Sequence, residues 1–108
     1  MPKKHHHVYV IELDPAVWKA SPRFRLANPD RDPRKPCVYV GMTGLKPEER
    51  YANHVAGIRS SRLVHRFARC LRPDLSEGIE PMTFREAVRM ERALAKVLRG
   101  DGYGVWQN

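Results

Sequence analysis

Val8-Tyr9-Val10-Ile11-Glu12-Leu13 and Cys37-Val38-Tyr39-Val40-Gly41 are the two stretches whose reading decides the fold. The first is a β-branched and aromatic run stopped by Asp14-Pro15, which reads as a core strand. The second is its natural partner. Both carry Val-Tyr-Val, and side chains alternate across a strand, so pairing the two lets both tyrosines project from one face of the sheet. Pro47 suits a first helical position, Glu48 and Glu49 suit a first turn, and Gly57 ends that helix. Tyr51, Val55 and Ile58 form its apolar stripe, and Arg50 and His54, four apart, form another beside it. A second helix, capped by Ser60 or Ser61, carries Leu63, Val64, Phe67, Ala68 and Leu71 on one face and Arg62, Arg66 and Arg69 on another. A third opens on the capping box Thr83-Phe84-Arg85-Glu86 and runs to about Arg99, before Gly100. Asp101 to Gly104 is a turn, and Val105-Trp106 returns as a short strand. The fold class is α/β in the α+β sense: a small, mostly antiparallel sheet flanked by helices.

Between the two tyrosine strands lies a basic, Pro-rich segment at about 14–36, with Pro22, Pro29, Pro33 and Pro36 among Arg23, Arg25, Arg31 and Arg34. A loop of that length is functional or disordered more often than not, and its composition suits either an arm over nucleic acid or a solvated loop. The 108 residues make one domain, with no room for a separate specificity domain. Lys and Arg number 20 against 12 Asp and Glu, a formal charge of +8, which calls for an anionic partner. Nucleic acid comes first. A membrane is disfavoured because no apolar run approaches the roughly 20 residues of a spanning helix, and no signal-peptide pattern follows Met1, so a cytoplasmic protein is expected. Cys37 and Cys70 have no zinc spacing and read as buried reduced thiols. His5-His6-His7 reads as strand-edge residues, a tag remnant or a weak metal tract.

The chemistry lies in a constellation: Tyr9, then Tyr39 followed by Gly41 and Thr43, then Arg50 and His54, then Glu91. Tyrosine, cation, imidazole and a lone carboxylate are the parts needed to hydrolyse a phosphodiester with one divalent metal. Glu91 is the sharpest signal, since the apolar stripe of the third helix runs Phe84, Ala87, Val88, then Glu91, then Leu94, Ala95 and Leu98. An ionised carboxylate at the centre of an apolar face is costly unless an arginine pairs with it, a metal reaches it, or it opens into a pocket. The tyrosines read singly as core aromatics and jointly as a functional pair. A phenol has a pKa of about 10, so acting as a base near neutrality requires nearby positive charge, which Arg50, His54 and a metal would supply. Arg50 has the planar fork that suits a phosphate oxygen, or else forms a surface ion pair. Gly41 permits a close turn out of the strand, and Thr43 bonds locally or holds the loop. Arg62, Arg66 and Arg69 read as a phosphate-backbone surface or as a solvated face.

Val8-Tyr9-Val10, Tyr39-Val40-Gly41 with Thr43, Arg50 with His54, and Glu91 in Ala87-Val88-Arg89-Met90-Glu91-Arg92 together resemble the GIY-YIG nuclease family over nearly the whole chain. His7 stands where the first Gly of that pattern is expected, the loop between the motifs is long, and no strand is evident in 72–82. The resemblance implies an endonuclease acting on DNA rather than RNA. Glu91 would hold one Mg²⁺ (or Mn²⁺), Tyr9 would serve as base with Tyr39 assisting, Arg50 would neutralise phosphate charge, and His54 would tune the tyrosine. Asn108 would match a late supporting asparagine. Without a second domain, intrinsic sequence specificity is expected to be low. The alternatives are a catalytically weak or inactive nucleic-acid-binding module of the same fold, and an adaptor docking Trp18 and Phe24 onto an acidic protein.

Overall fold

The computed structural model describes residues 3–107; Met1, Pro2 and Asn108, and with Asn108 the expected supporting asparagine, lie outside them. β1 (His7–Leu13) and β2 (Cys37–Thr43) pair antiparallel, His7 opposite Thr43 through Leu13 opposite Cys37. Tyr9 therefore faces Gly41 and Ile11 faces Tyr39, which makes the two tyrosines diagonal neighbours on one face, as the repeated Val-Tyr-Val predicts. β3 (Ala68–Leu71) adds antiparallel to β1, and β4 (Gly104–Trp106) adds parallel to β2, giving the order β3-β1-β2-β4. The result is a mixed, mostly antiparallel sheet in an α+β fold, as expected.

Five α-helices are described: α1 (Val17–Ala20), α2 (Pro22–Ala27), α3 (Pro47–Ala56), α4 (Arg62–Phe67) and α5 (Phe84–Gly100). α5 covers the valine face, where Val8, Val10, Val38 and Val40 pack with Ala87, Ala95 and Leu98. On the other face, Tyr9, Ile11, Leu13 and Tyr39 pack with Val17, Phe24, Val64 and Phe67 from α1, α2 and α4. A sheet buried on both sides explains why β1 and β2 read as nearly continuous apolar runs. The capping box of α5 forms in both directions, Thr83 Oγ1 accepting from Glu86 N–H and the Glu86 carboxylate accepting from Thr83 N–H. α3 ends where Gly57 turns left-handed, at φ 78°.

The expected second helix is shorter than its apolar period. α4 stops at Phe67 and the chain turns at once into β3, because the outer edge of β1 needs backbone partners that a further helical turn cannot supply. Asp14 N–H to Phe67 O at 2.7 Å and Arg72 N–H to Val10 O at 2.8 Å bracket the junction. β3 thus occupies the tail of the expected helix, ahead of 72–82, where Met82 forms an isolated bridge with His6, and Arg69 lies on β3 rather than beside Arg62 and Arg66.

The segment 14–36 is likewise no free loop. It holds α1 and α2, with Val17 and Phe24 fully buried and the Phe24 ring stacked on Trp106. Asn28 fastens it to the sheet. Its carboxamide accepts from Val105 N–H at 2.8 Å and donates to Val105 O at 3.0 Å, in place of a neighbouring strand, and Arg99 Nη2 adds a bond to the same carbonyl.

Smaller corrections follow burial. Val55 and Ile58 of the expected α3 stripe are half exposed, and the residue that α3 buries is His54. Phe84 is exposed, edge-on to the His6 ring. Cys37 is buried but Cys70 is exposed on β3, and both are free thiols. No described helix is long and apolar enough to cross a membrane.

Candidate active site

β4 pairs with β2 only from Cys37 to Tyr39, so the end of β2 from Val40 to Thr43 has no strand on its outer side among the described residues. Around this open end lies a cavity of about 280 Å³ lined by Tyr9, Tyr39, Met42, Arg50, Val88, Glu91 and Arg92. Four of the five expected catalytic residues line one space, drawn from β1, β2, α3 and α5. His54, the fifth, sits behind them, bonded to Tyr9.

Gly41 gives the tyrosines their room. A Cβ at this position would lie 2.6 Å from Tyr9 Oη and 2.7 Å from Tyr39 Cε2, so the glycine serves ring packing inside β2 rather than a turn out of it. That corrects the expected reason for Gly41. Thr43 bonds locally as expected, its Oγ1 accepting from Leu45 N–H at 3.0 Å.

Tyr9 Oη lies 2.9 Å from Nε2 of His54, and His54 Nδ1 lies 3.0 Å from Ser60 Oγ. The Ser60 hydroxyl donates its proton to Ser61 O at 2.9 Å, so its oxygen accepts from Nδ1–H. The network therefore assigns the proton to Nδ1 and leaves Nε2 to accept from the phenol. Burial and the Arg50 charge push the imidazole pKa down to about 4, so His54 is neutral. The expectation that it supplies positive charge is corrected. Burial also raises the pKa of both phenols, helped at Tyr9 by Tyr39 and at Tyr39 by Glu91, while Arg50 works against the rise at each. Both phenols are protonated at neutrality.

Ser60, expected only as a helix cap, is instead the residue that bonds His54 Nδ1. Its single sequence signal is its place just past the α3 stop at Gly57, where a reversing chain comes back beside the helix. His65 also turns toward α3, its Nδ1 3.2 Å from His54 O and 3.1 Å from Val55 O.

Arg50 is held from behind, donating through Nη1 to Ile58 O at 3.2 Å and through Nη2 to Arg59 O at 2.7 Å. No carboxylate pairs with it among the described residues, which removes the surface ion-pair reading. Glu91 is 9% exposed, and burial raises its pKa, with Arg92 offsetting part of the rise. It has no ion pair or hydrogen bond among the described residues, so the buried arginine pair is absent and the carboxylate opens into the cavity. No group of three His, Cys, Asp or Glu side chains converges among the described residues, His5 to His7 included. A divalent cation here would rest on Glu91, with water and phosphate oxygens completing its shell, the usual arrangement for Mg²⁺. An unpartnered buried carboxylate at a cavity wall fits that role.

Arg62, Arg66 and Arg69 are exposed and form no ion pair among the described residues, though none lines the cavity. Arg66 lies 4.8 Å over the Phe67 ring. No protein-family model, characterised protein or solved structure matches this chain.

Proposed function

We propose that this chain is a divalent-metal-dependent endonuclease of the GIY-YIG type that hydrolyses DNA phosphodiesters with low intrinsic sequence specificity. The observation that carries the proposal is the convergence of Tyr9, Tyr39, Arg50 and Glu91 on one cavity, with Tyr9 bonded to a neutral imidazole. DNA is favoured over RNA on the resemblance, and a net charge of +8 suits either. A cytoplasmic setting agrees with two free thiols.

Mg²⁺ or Mn²⁺ held at Glu91 would supply positive charge to the scissile phosphate and its leaving oxygen. The protein's own groups handle the proton. As the water oxygen bonds to phosphorus and the phosphorus–oxygen bond to the leaving group breaks, the water proton passes to Tyr9 Oη, and the phenol proton passes to Nε2 of His54. Tyr9 therefore acts as a base without first existing as phenolate, which its burial forbids. An incoming phosphate offsets the Arg50 charge, one of the two causes that depress His54, so substrate raises the imidazole's basicity when it is needed. Arg50, already oriented by two carbonyls, turns its remaining N–H groups to the charge growing on the phosphate.

The test is incubation of the purified protein with plain, nicked, branched and single-stranded DNA, and with RNA, in Mg²⁺, Mn²⁺ or EDTA. Defined metal-dependent cuts are expected from the parent and none from Tyr9→Phe or Glu91→Gln. A parent that binds DNA without cutting any substrate would reduce the chain to a binding module, and undiminished cutting by both variants would remove the site.

A further inference from the structure

We propose that a second cleft, sharing Arg50 with the catalytic cavity, is a subsite for one unpaired nucleotide flanking the scissile phosphate. It is an open cleft of about 490 Å³ lined by Thr43, Leu45, Arg50, Asn53, Ile58 and Arg59.

Three observations define its occupant. Leu45 is 43% exposed and Ile58 54% exposed, two large aliphatic side chains presented together beside a polar site, an apolar floor of the kind that receives the face of a base. The side-chain amide of Asn53 and the guanidinium of Arg59 make no hydrogen bond or ion pair among the described residues. The first offers a donor and an acceptor to a base edge and the second offers a fork to a phosphate. Arg59 is also the one described non-glycine residue with positive φ, 48°, a conformation that clusters at ligand clamps.

Because Arg50 borders both spaces, a phosphate on its guanidinium places the next nucleotide of the strand in the second cleft. Its base reaches an aliphatic floor only after leaving the duplex stack. The cleft thus selects substrates in which that nucleotide is already unpaired, as at a bulge, a flap or a single strand, since these have least to lose by unstacking. The inference rests on the nuclease reading for the phosphate at Arg50, and the experiment separates the two.

The probe is pentathymidylate, compared with an abasic deoxyribose-phosphate pentamer of the same charge, titrated into the full chain in EDTA. The readouts are the methyl signals of Leu45 and Ile58 and the guanidinium Nε–H of Arg50. Pentathymidylate should move all three, and the abasic strand only Arg50. Leu45→Ala/Ile58→Ala, both exposed positions, should melt like the parent. In Mg²⁺ it should lose about tenfold of any preference for a bulged over a fully paired duplex, the worth of roughly one base face removed from water. Equal methyl shifts from both strands would overturn the base pocket and leave a phosphate site. Shifts at Arg50 with none at either methyl would overturn the subsite and spare the nuclease reading. Shifts at neither place would overturn both.

Discussion

Gly41→Ala is the smallest change that addresses the two tyrosines at once. The new methyl would stand 2.6 Å from Tyr9 Oη and 2.7 Å from Tyr9 Cζ and Tyr39 Cε2, against about 3.4 Å for ordinary contact. Something must move by about 0.8 Å. Neither ring can swing into water, since both are 2% exposed on neighbouring strands. Overpacking of this kind costs about 1–3 kcal/mol, and the gain of alanine over glycine inside a strand returns about 0.5–1 kcal/mol. Taken at the middle of both ranges the net loss is about 1 kcal/mol, which lowers the melting temperature of a domain this size by about 4–8 °C.

The chemical consequence is larger. The bond from Tyr9 to His54 is 2.9 Å long, and a displacement of about 0.8 Å along it carries it beyond hydrogen-bond range. Misplacement by about 1 Å at a reacting group costs on the order of 10²-fold in rate. Calorimetry and a cleavage assay on the same preparation measure both effects. A variant that melts with the parent and cuts at its rate would refute the account of Gly41 and, with it, the importance of the Tyr9–His54 contact.

Glu91→Gln should match or exceed the parent in stability at neutral pH while losing Mg²⁺-dependent cleavage. The folded-state pKa of Glu91 is raised by burial, so the native state holds that proton more tightly and stability falls as pH rises through the folded value; melts at several pH values should show the variant gaining on the parent upward from about pH 4. His54→Gln isolates the opposite case. With its pKa lowered from 6.5 to about 4, His54 gives stability present above pH 6.5 and lost as pH falls toward 4, on the order of 2–3 kcal/mol, and the parent-minus-variant difference in denaturant melts should trace that window. Ser60→Ala releases Nδ1, so ¹⁵N spectra of His54 should show its proton shared between both ring nitrogens, whereas Ser60→Thr should keep it on Nδ1; an unchanged tautomer in Ser60→Ala would refute the assignment. Arg62→Ala/Arg66→Ala should weaken DNA binding for all sequences and flatten the log–log salt slope by about 2, and an unchanged slope would return those residues to a solvated face.

The long helices and the central strand pair were legible because their signals are local. Thr83 and Glu86 announce the start of α5, Pro47 and Gly57 bracket α3, and the paired Val-Tyr-Val runs carry their own register. β3 was hidden because residues 63–71 satisfy a helical period, while the reason to leave the helix is the open edge of β1, more than fifty residues away in the chain. α1 and α2 are too short to show a period, and Asn28-Pro29 looks like any turn until Val105 is seen beside the amide. In the site, residue types were readable and roles were not. The five chemical residues were named from the chain, yet nothing in their order shows that burial makes His54 neutral or that Ser60 sets its tautomer.

The cavity lies just beyond the stretch where β4 pairs with β2. Side chains of Tyr9 and Tyr39 leave one face of the sheet, while Val88 and Glu91 belong to the helix that covers the other, so an extended sheet would keep them apart. They share a space at the end of β2, beyond Tyr39, where no strand follows among the described residues and where Gly41 adds no side chain of its own. The outer edge of β4 is satisfied by Asn28 and Arg99 in place of a further strand. The segment 14–36 thus closes the outer edge of β4, while Val40 to Thr43 stay open among the described residues, at the place where residues from both faces meet.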